Sequence, residues 1–131
     1  MILGSGLGSF ADDFEEKIVI PYNKIPYFLV PTTVGHAGNL VVGKKGKHLV
    51  AAMQGRFHYY EGHDILDCTF PVRVFKMLNI GKIMITSAVG GINESYEPGD
   101  CVLVKDHINL MGINPLLGSN DSRFGPRFPD Q

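Results

Sequence analysis

Nine residues hold the densest chemistry in this chain: Gly55-Arg56-Phe57-His58-Tyr59-Tyr60-Glu61-Gly62-His63. They combine a guanidinium, two imidazoles, a carboxylate and two phenols, with glycines near both ends. Arg56 and His58 are two apart, so on an extended backbone their side chains point the same way. A planar guanidinium fork beside an imidazole is a competent anion clamp. A polar turn after a strand accounts for the same residues, and the stretch alone does not separate the two readings.

Four strand ends supply the elements that would position such a clamp. His48-Leu49-Val50-Ala51-Ala52-Met53 leads straight into the nine residues. It has the pattern of a buried strand delivering polar groups to its C-terminal end, where open α/β sheets place ligands. Met1-Ile2-Leu3 reads as a strand emptying into Gly4-Ser5-Gly6-Leu7-Gly8-Ser9, whose N–H groups and hydroxyl suit an anion; a plain tight turn fits equally. The spacing is not the dinucleotide fingerprint, because the third glycine arrives one residue early, at Gly8. Val30-Pro31-Thr32-Thr33 stands where that fold needs an acid, and no GK[ST] of a P-loop follows. Lys82-Ile83-Met84-Ile85-Thr86 reads as the clearest buried strand, opening into Ser87-Ala88-Val89-Gly90-Gly91. Cys101-Val102-Leu103-Val104 reads as a further strand ending at Asp106-His107.

The connecting segments complete a small α/β unit. Ala11 to Glu16 is short, acidic and helix-capable, and Lys17 to Ile20 before Pro21 reads as an edge strand. Asn23 to Pro31 reads as a surface loop packed by its aromatics. His36, between Gly35 and Gly38, has small neighbours and could approach a ligand closely, although a lone loop histidine is more commonly solvated. Leu40 to Gly43 and His48 to Met53 form a hairpin around Lys44-Lys45-Gly46-Lys47, a solvated turn. Residues 63–78 carry a helical pattern, with Ile65, Leu66, Thr69, Phe70, Val72, Phe75, Met77 and Leu78 on one broad apolar face and Pro71 bending it. Gly81 is the expected left-handed cap. Strand, helix and strand from Met53 to Ile85 read as a crossover joining parallel strands. Asn109 to Gln131 reads as a long functional loop.

Composition bounds the partners. The 131 residues suffice for one domain with a real core. With 44% hydrophobic and 19% charged residues the chain is globular rather than disordered. A net charge of -1 and the absence of a basic stripe argue against nucleic acid as the main partner. Two cysteines, Cys68 and Cys101, show neither a CxxC nor a metal spacing, as expected of a reduced cytoplasmic protein. No apolar run approaches the ~20 residues of a membrane span, and there is no signal peptide pattern. Both ends read as cut: the first strand lacks a start, and the last loop has nothing after it to pack.

Five motifs occur together in order: Leu3-Gly4-Ser5-Gly6-Leu7-Gly8, Gly35-His36-Ala37-Gly38, Met53-Gln54-Gly55-Arg56-Phe57-His58, Thr86-Ser87-Ala88-Val89-Gly90-Gly91 and Asp106-His107-Ile108-Asn109-Leu110. The set resembles the trimeric, inosine–guanosine type of purine nucleoside phosphorylase. Asn114-Pro115-Leu116, Asn120-Asp121-Ser122-Arg123-Phe124-Gly125 and Arg127-Phe128-Pro129 continue the likeness over essentially the whole chain. The resemblance implies one phosphorylase domain over residues 1–131, seen in its N-terminal portion. Its implied fold is α/β: a phosphorylase/hydrolase-like mixed β-sheet flanked by helices, incomplete here. The implied reaction is reversible phosphorolysis of purine ribonucleosides or deoxyribonucleosides to free base and pentose 1-phosphate. Inorganic phosphate is the co-substrate, with no metal or redox cofactor.

Carried over residue by residue, the resemblance implies phosphate contacts at Ser5, His36, Arg56, Phe57, His58 and the Ala88 backbone. Arg56 and His58 are the catalytic pair. His58 and Tyr60 face the ribose, joined by Phe128 from a neighbouring subunit, so a homotrimer is implied. Ser87 stands where many relatives carry asparagine. The base-binding glutamate and asparagine belong to a second half of the family fold, outside these 131 residues. The 131 residues alone are therefore expected to be poorly active and weakly stable, with central strands left as exposed edges. A methylthioadenosine phosphorylase has less use for His58, and a non-catalytic phosphate-binding remnant is the rival from another class. A nicotinamide-dependent oxidoreductase is disfavoured by the glycine spacing.

Overall fold

The computed structural model describes residues 1–128. Pro129, Asp130 and Gln131, which end the loop expected from the sequence, lie outside the described residues. The chain parts into two units, Met1–Ala88 and Val89 onward.

The first unit is built on a mixed four-stranded sheet in the order β1-β4-β3-β2. Its strands are β1 (Ile2–Leu3), β2 (Glu15–Pro21), β3 (Asn39–Lys45) and β4 (His48–Gln54). β3 and β4 form the expected hairpin, with Lys45 opposite His48 and Gly46 at φ 57 in the two-residue loop. β2 is the expected edge strand, antiparallel to β3 and closed by Pro21. β1 runs parallel to β4, with Ile2 opposite Met53 and Leu3 opposite Gln54. Successive residues of β4 enter different cores, which is why its sequence is a nearly continuous apolar run. Met53 packs with Ile2, Tyr22, Phe28, Phe57 and Phe75, whereas Ala52 packs with Leu3, Ala11, Phe14 and Val41.

Helix α1 (Ile65–Met77) covers the Met53 side through the buried Pro71 and Phe75. Asp64 caps its start, the carboxylate accepting from Leu66 N at 2.7 Å. The packed face is narrower than the sequence pattern predicts: Leu66, Val72, Met77 and Leu78 are exposed, and Cys68, Phe70 and Val74 flank the buried pair. The cap also moves. Asn79, not Gly81, takes the left-handed conformation at φ 57; Asn79 N donates to Lys76 O and Ile80 N to Phe75 O. Those two bonds close the helix before Gly81 is reached, and Ile80 packs back on the core.

Three further expectations change. The Ala11–Glu16 region is divided between a 3₁₀ turn, Gly8–Asp13, and the start of β2 at Glu15, with Phe14 between them; six residues leave too little length for a stable α-helix. Residues Lys82–Thr86 make a single parallel bridge, Ile85 to Ile2, with Ile2 N donating to Met84 O and Thr86 N to Ile2 O. The two-residue β1 offers little edge for longer pairing, and Ile83, Met84 and Ile85 are exposed because neither core cluster packs against them. The crossover logic survives: β4 and the Ile85 segment both run parallel to β1 and lie on either side of it. In the second unit, Cys101–Val104 is no strand; Val102, Leu103 and Val104 are exposed and unpaired with any strand among the described residues. Over the described part of the expected loop, residues 109–128, the backbone is loop with a 3₁₀ turn at Ser122–Phe124. No helix of the described residues is long and apolar enough to cross a membrane.

Candidate active site

The C-terminal ends of β1 and β4 lie side by side, and the chain turns at each with groups fixed by backbone geometry. After β1, Gly4 is pressed so closely on Thr86 that a Cβ there would sit 2.6 Å from Thr86 O. Gly4 N donates to Thr86 Oγ1 at 2.9 Å, and Gly6 at φ 82 completes the turn that presents the exposed Ser5. After β4, Gln54 is buried and fully engaged. Its amide N–H groups donate to Gly8 O and Asp12 Oδ1, both at 2.9 Å, and its oxygen accepts from Asn39 at 3.2 Å. Gln54 thus ties the glycine turn to the sheet.

Gly55 makes the decisive bend. It sits at φ 97, and a Cβ there would lie 2.5 Å from His36 Cβ, so both conformation and space require glycine. Tyr22 OH fixes the same point by donating to Gly55 O at 2.8 Å. The Tyr22 ring is buried, and that burial pushes its hydroxyl pKa upward, so it stays a proton donor.

His36 overturns the expectation of a solvated loop histidine: it is only 9% exposed. Its Nδ1 lies 3.1 Å from Arg56 O and 3.2 Å from Arg56 N, and its Nε2 lies 3.4 Å from Ser5 Oγ. One imidazole therefore links the β1 turn to the β4 turn. His36 also lines a cleft of about 150 Å³ together with Tyr22, Val30, Pro31 and Asn39. The half-buried Arg56 donates from Nη1 to Thr86 O at 2.6 Å, which brings its guanidinium to the residue after the Ile85 bridge. Beyond the bend Phe57 turns inward, is buried, and packs edge-on against Tyr22 and Phe28. Only its backbone is left for a ligand.

His58 stacks between two rings. Its centroid lies 5.0 Å from that of His36 and 4.6 Å from that of Tyr60. Behind it stands Glu61, a residue to which the sequence reading gave no role. The Glu61 side chain is 3% exposed, and Oε1 lies 2.7 Å from His58 Nδ1. Thr33 Oγ1 donates to Oε1 at 2.7 Å, while Thr32 donates to Oε2 from N at 3.0 Å and from Oγ1 at 3.1 Å. Burial alone would raise the carboxyl pKa, but the hydrogen bonds from Thr32, Thr33 and His58 outweigh it and hold the group at about 2. Glu61 is thus a fixed carboxylate that orients the His58 ring. The signal for it in the sequence was the three-residue spacing from His58, whereas Thr32 and Thr33 arrive from a distant loop and left none.

Ser5, His36, Arg56 and His58 are therefore brought to one place, with Tyr60 at its margin, 73% exposed. Ala88 is exposed at the end of the first unit, two residues beyond Thr86. Phe128 belongs to the second unit and is exposed. Among the described residues no cluster of three or more His, Cys, Asp or Glu could hold a metal ion. The chemistry on offer is that of an anion cradle: a hydroxyl, two imidazoles and a glycine turn, with a guanidinium anchored beside the turn on Thr86 O.

Comparison with known proteins agrees with the motif set. The chain is 57% identical over 130 residues to purine nucleoside phosphorylase 1 of Geobacillus stearothermophilus and 51% identical over 130 residues to that of Bacillus subtilis. It is 48% identical over 132 residues to purine nucleoside phosphorylase of Mus musculus. These alignments cover 98–99% of the chain but 46–48% of the relatives, so the chain spans about half their length. A crystal structure of Schistosoma mansoni purine nucleoside phosphorylase in complex with inosine superposes with a TM-score of 0.85 at 45% identity, over 98% of this chain and 47% of that one. Another, of a purine nucleoside phosphorylase in complex with ribose-1-phosphate, gives 0.86 at 48% identity, over 98% of this chain and 48% of that one. The mixed sheet and its helix are thus those of the expected fold, and with a family model matching residues 1–131 the chain belongs to the phosphorylase superfamily.

Proposed function

We propose that this chain is part of a purine nucleoside phosphorylase, a pentosyltransferase that moves the pentose of inosine, guanosine or their 2′-deoxy forms between purine and inorganic phosphate. The carrying observation is the convergence of Ser5, His36, Arg56 and His58 at the ends of β1 and β4. In the forward direction the bond from sugar C1′ to the base breaks, its electron pair leaving on the purine, and the proton of hydrogen phosphate ends on that base. A phosphate oxygen forms the new bond to C1′. The sugar passes through oxocarbenium character, and a dianion held beneath it stabilises that charge while supplying the nucleophile.

Each side chain then has a task. Arg56 contributes the permanent positive charge, and Ser5 with the Gly4–Gly6 turn contributes neutral donors. His36 holds Ser5 and the phosphate, joined by the backbone N–H groups of Phe57 and Ala88. With Nδ1 committed to Glu61, His58 keeps Nε2 for the ligand, accepting in the neutral ring and donating in the protonated one. His58 and Tyr60 form the ribose side. Phe128 serves a neighbouring subunit's sugar pocket in a homotrimer, and residues 1–131 belong to one phosphorylase domain acting in the cytoplasm without a metal or redox cofactor.

The test pairs two measurements on the same sample: phosphate binding by titration calorimetry, and hypoxanthine release from inosine with and without phosphate. Phosphate-dependent release supports the full reading. Saturable phosphate binding without release supports the phosphate half-site and assigns the base step to residues beyond these. Release that ignores phosphate would make the protein a hydrolase, and absence of phosphate binding in a folded sample would end the proposal.

A further inference from the structure

Glu61 has a second imidazole beside it that the proposed reaction leaves unused. His63 Nε2 lies 3.4 Å from Glu61 Oε2, is closed off from solvent, and makes no hydrogen bond among the described residues. The His63 side chain as a whole is 23% exposed, so the buried nitrogen marks the side turned toward the carboxylate. The carboxylate is therefore bracketed, with His58 Nδ1 2.7 Å from Oε1 and His63 Nε2 close to Oε2. Thr32 and Thr33 donate from the loop side, and Thr33 Oγ1 also lies 3.3 Å from Tyr60 OH. On the helix side Asp64 is occupied in capping Leu66 N, while Cys68 is near enough to feel the charges of Asp67, Glu61 and Asp64.

The form of His63 follows from what faces it. A bare Nε2 would set a lone pair against a fixed carboxylate oxygen in a site closed to water, which is repulsive. An Nε2–H would set a positive dipole there, attractive even where the angle falls short of a hydrogen bond. We propose that His63 is a positioning residue: its Nε2–H holds Glu61 Oε2 so that Oε1 stays aligned on His58 Nδ1. The inference rests on the phosphorylase reading only for the task of His58.

The test reads the histidine rings directly, so it stands or falls apart from any turnover assay. In ¹⁵N-histidine-labelled protein at alkaline pH, where histidine is neutral, nitrogen shifts report which ring atom carries hydrogen. We expect His63 as the Nε2–H tautomer and His58 as the Nδ1–H tautomer, the latter with a far-downfield proton from its short bond to Glu61. His63→Phe should broaden or lose that His58 proton signal, and His63→Gln, whose amide can donate from the same side, should restore it. A wild-type His63 with hydrogen on Nδ1 and a bare Nε2 would overturn the inference, whether or not the phenylalanine variant folds. So would an unchanged His58 signal in a folded His63→Phe protein.

Discussion

Glu61 gives the site its clearest dependence on pH. Its carboxyl group falls from an ordinary 4.5 to about 2 in the folded chain, because the donors on it outweigh the cost of burial. A depressed acid contributes stability that is complete above the unfolded value and is lost as pH drops through the folded one. The contribution should therefore disappear between about pH 5 and pH 2, and thermal melts of wild type and Glu61→Gln over that window should converge toward the acid end. Parallel curves would mean that the carboxylate is not held as described. Arg56 carries the charge of the cradle, so Arg56→Gln should raise the Kd for phosphate in titration calorimetry about tenfold to a hundredfold, the range for losing a hydrogen bond to a charged group. An unchanged Kd for phosphate would remove Arg56 from the cradle. Much of this was legible beforehand, since Arg56 and His58 announce themselves by type and alternate spacing. The burial of His36 was not, because it depends on Gly55 leaving room for the ring, a contact between residues nineteen apart in the chain.

At the scale of elements, the readable parts were those whose bonding is local. The β3–β4 hairpin carries its own turn, and α1 carries its own cap at Asp64. Segment 82–86 and segment 101–104 look like strands by composition, yet a strand is made by its neighbour, and that neighbour is not encoded in the segment. The cap at Asn79 was missed because glycine is the usual choice, while the geometry falls where the helix ends. Asn79→Ala should cost about 1 kcal/mol, the order of the left-handed penalty, and Asn79→Gly should be neutral or stabilising by thermal melting. The bend at Gly55 is less forgiving. Gly55→Ala combines a strained φ with a direct collision against His36, so a loss of about 1–3 kcal/mol or more is expected in chemical denaturation. A variant melting like wild type would show that the His36 loop can retreat without cost.

Across the whole molecule, stability is distributed unevenly, and hydrogen exchange is the measurement that resolves it. In the first unit, the amides joining β3 to β4 are bonded along the full hairpin, and both faces around Val41, Ala52 and Met53 are buried. In the second unit, the backbone bonds are those of isolated turns such as Tyr96 N to Asn93 O and Phe124 N to Asp121 O. Val102, Leu103 and Val104 sit there with apolar side chains in solvent, an arrangement the hydrophobic effect does not favour. The β3–β4 amides should exchange slowest of all, and those of residues 101–104 should exchange within seconds. Slow exchange at 101–104 would carry its own meaning: these residues would then be paired as the strand their sequence suggests. If that protection also rose with protein concentration, the pairing partner would be another copy of the chain, and sedimentation of the same sample would separate the proposed homotrimer from open-ended edge pairing.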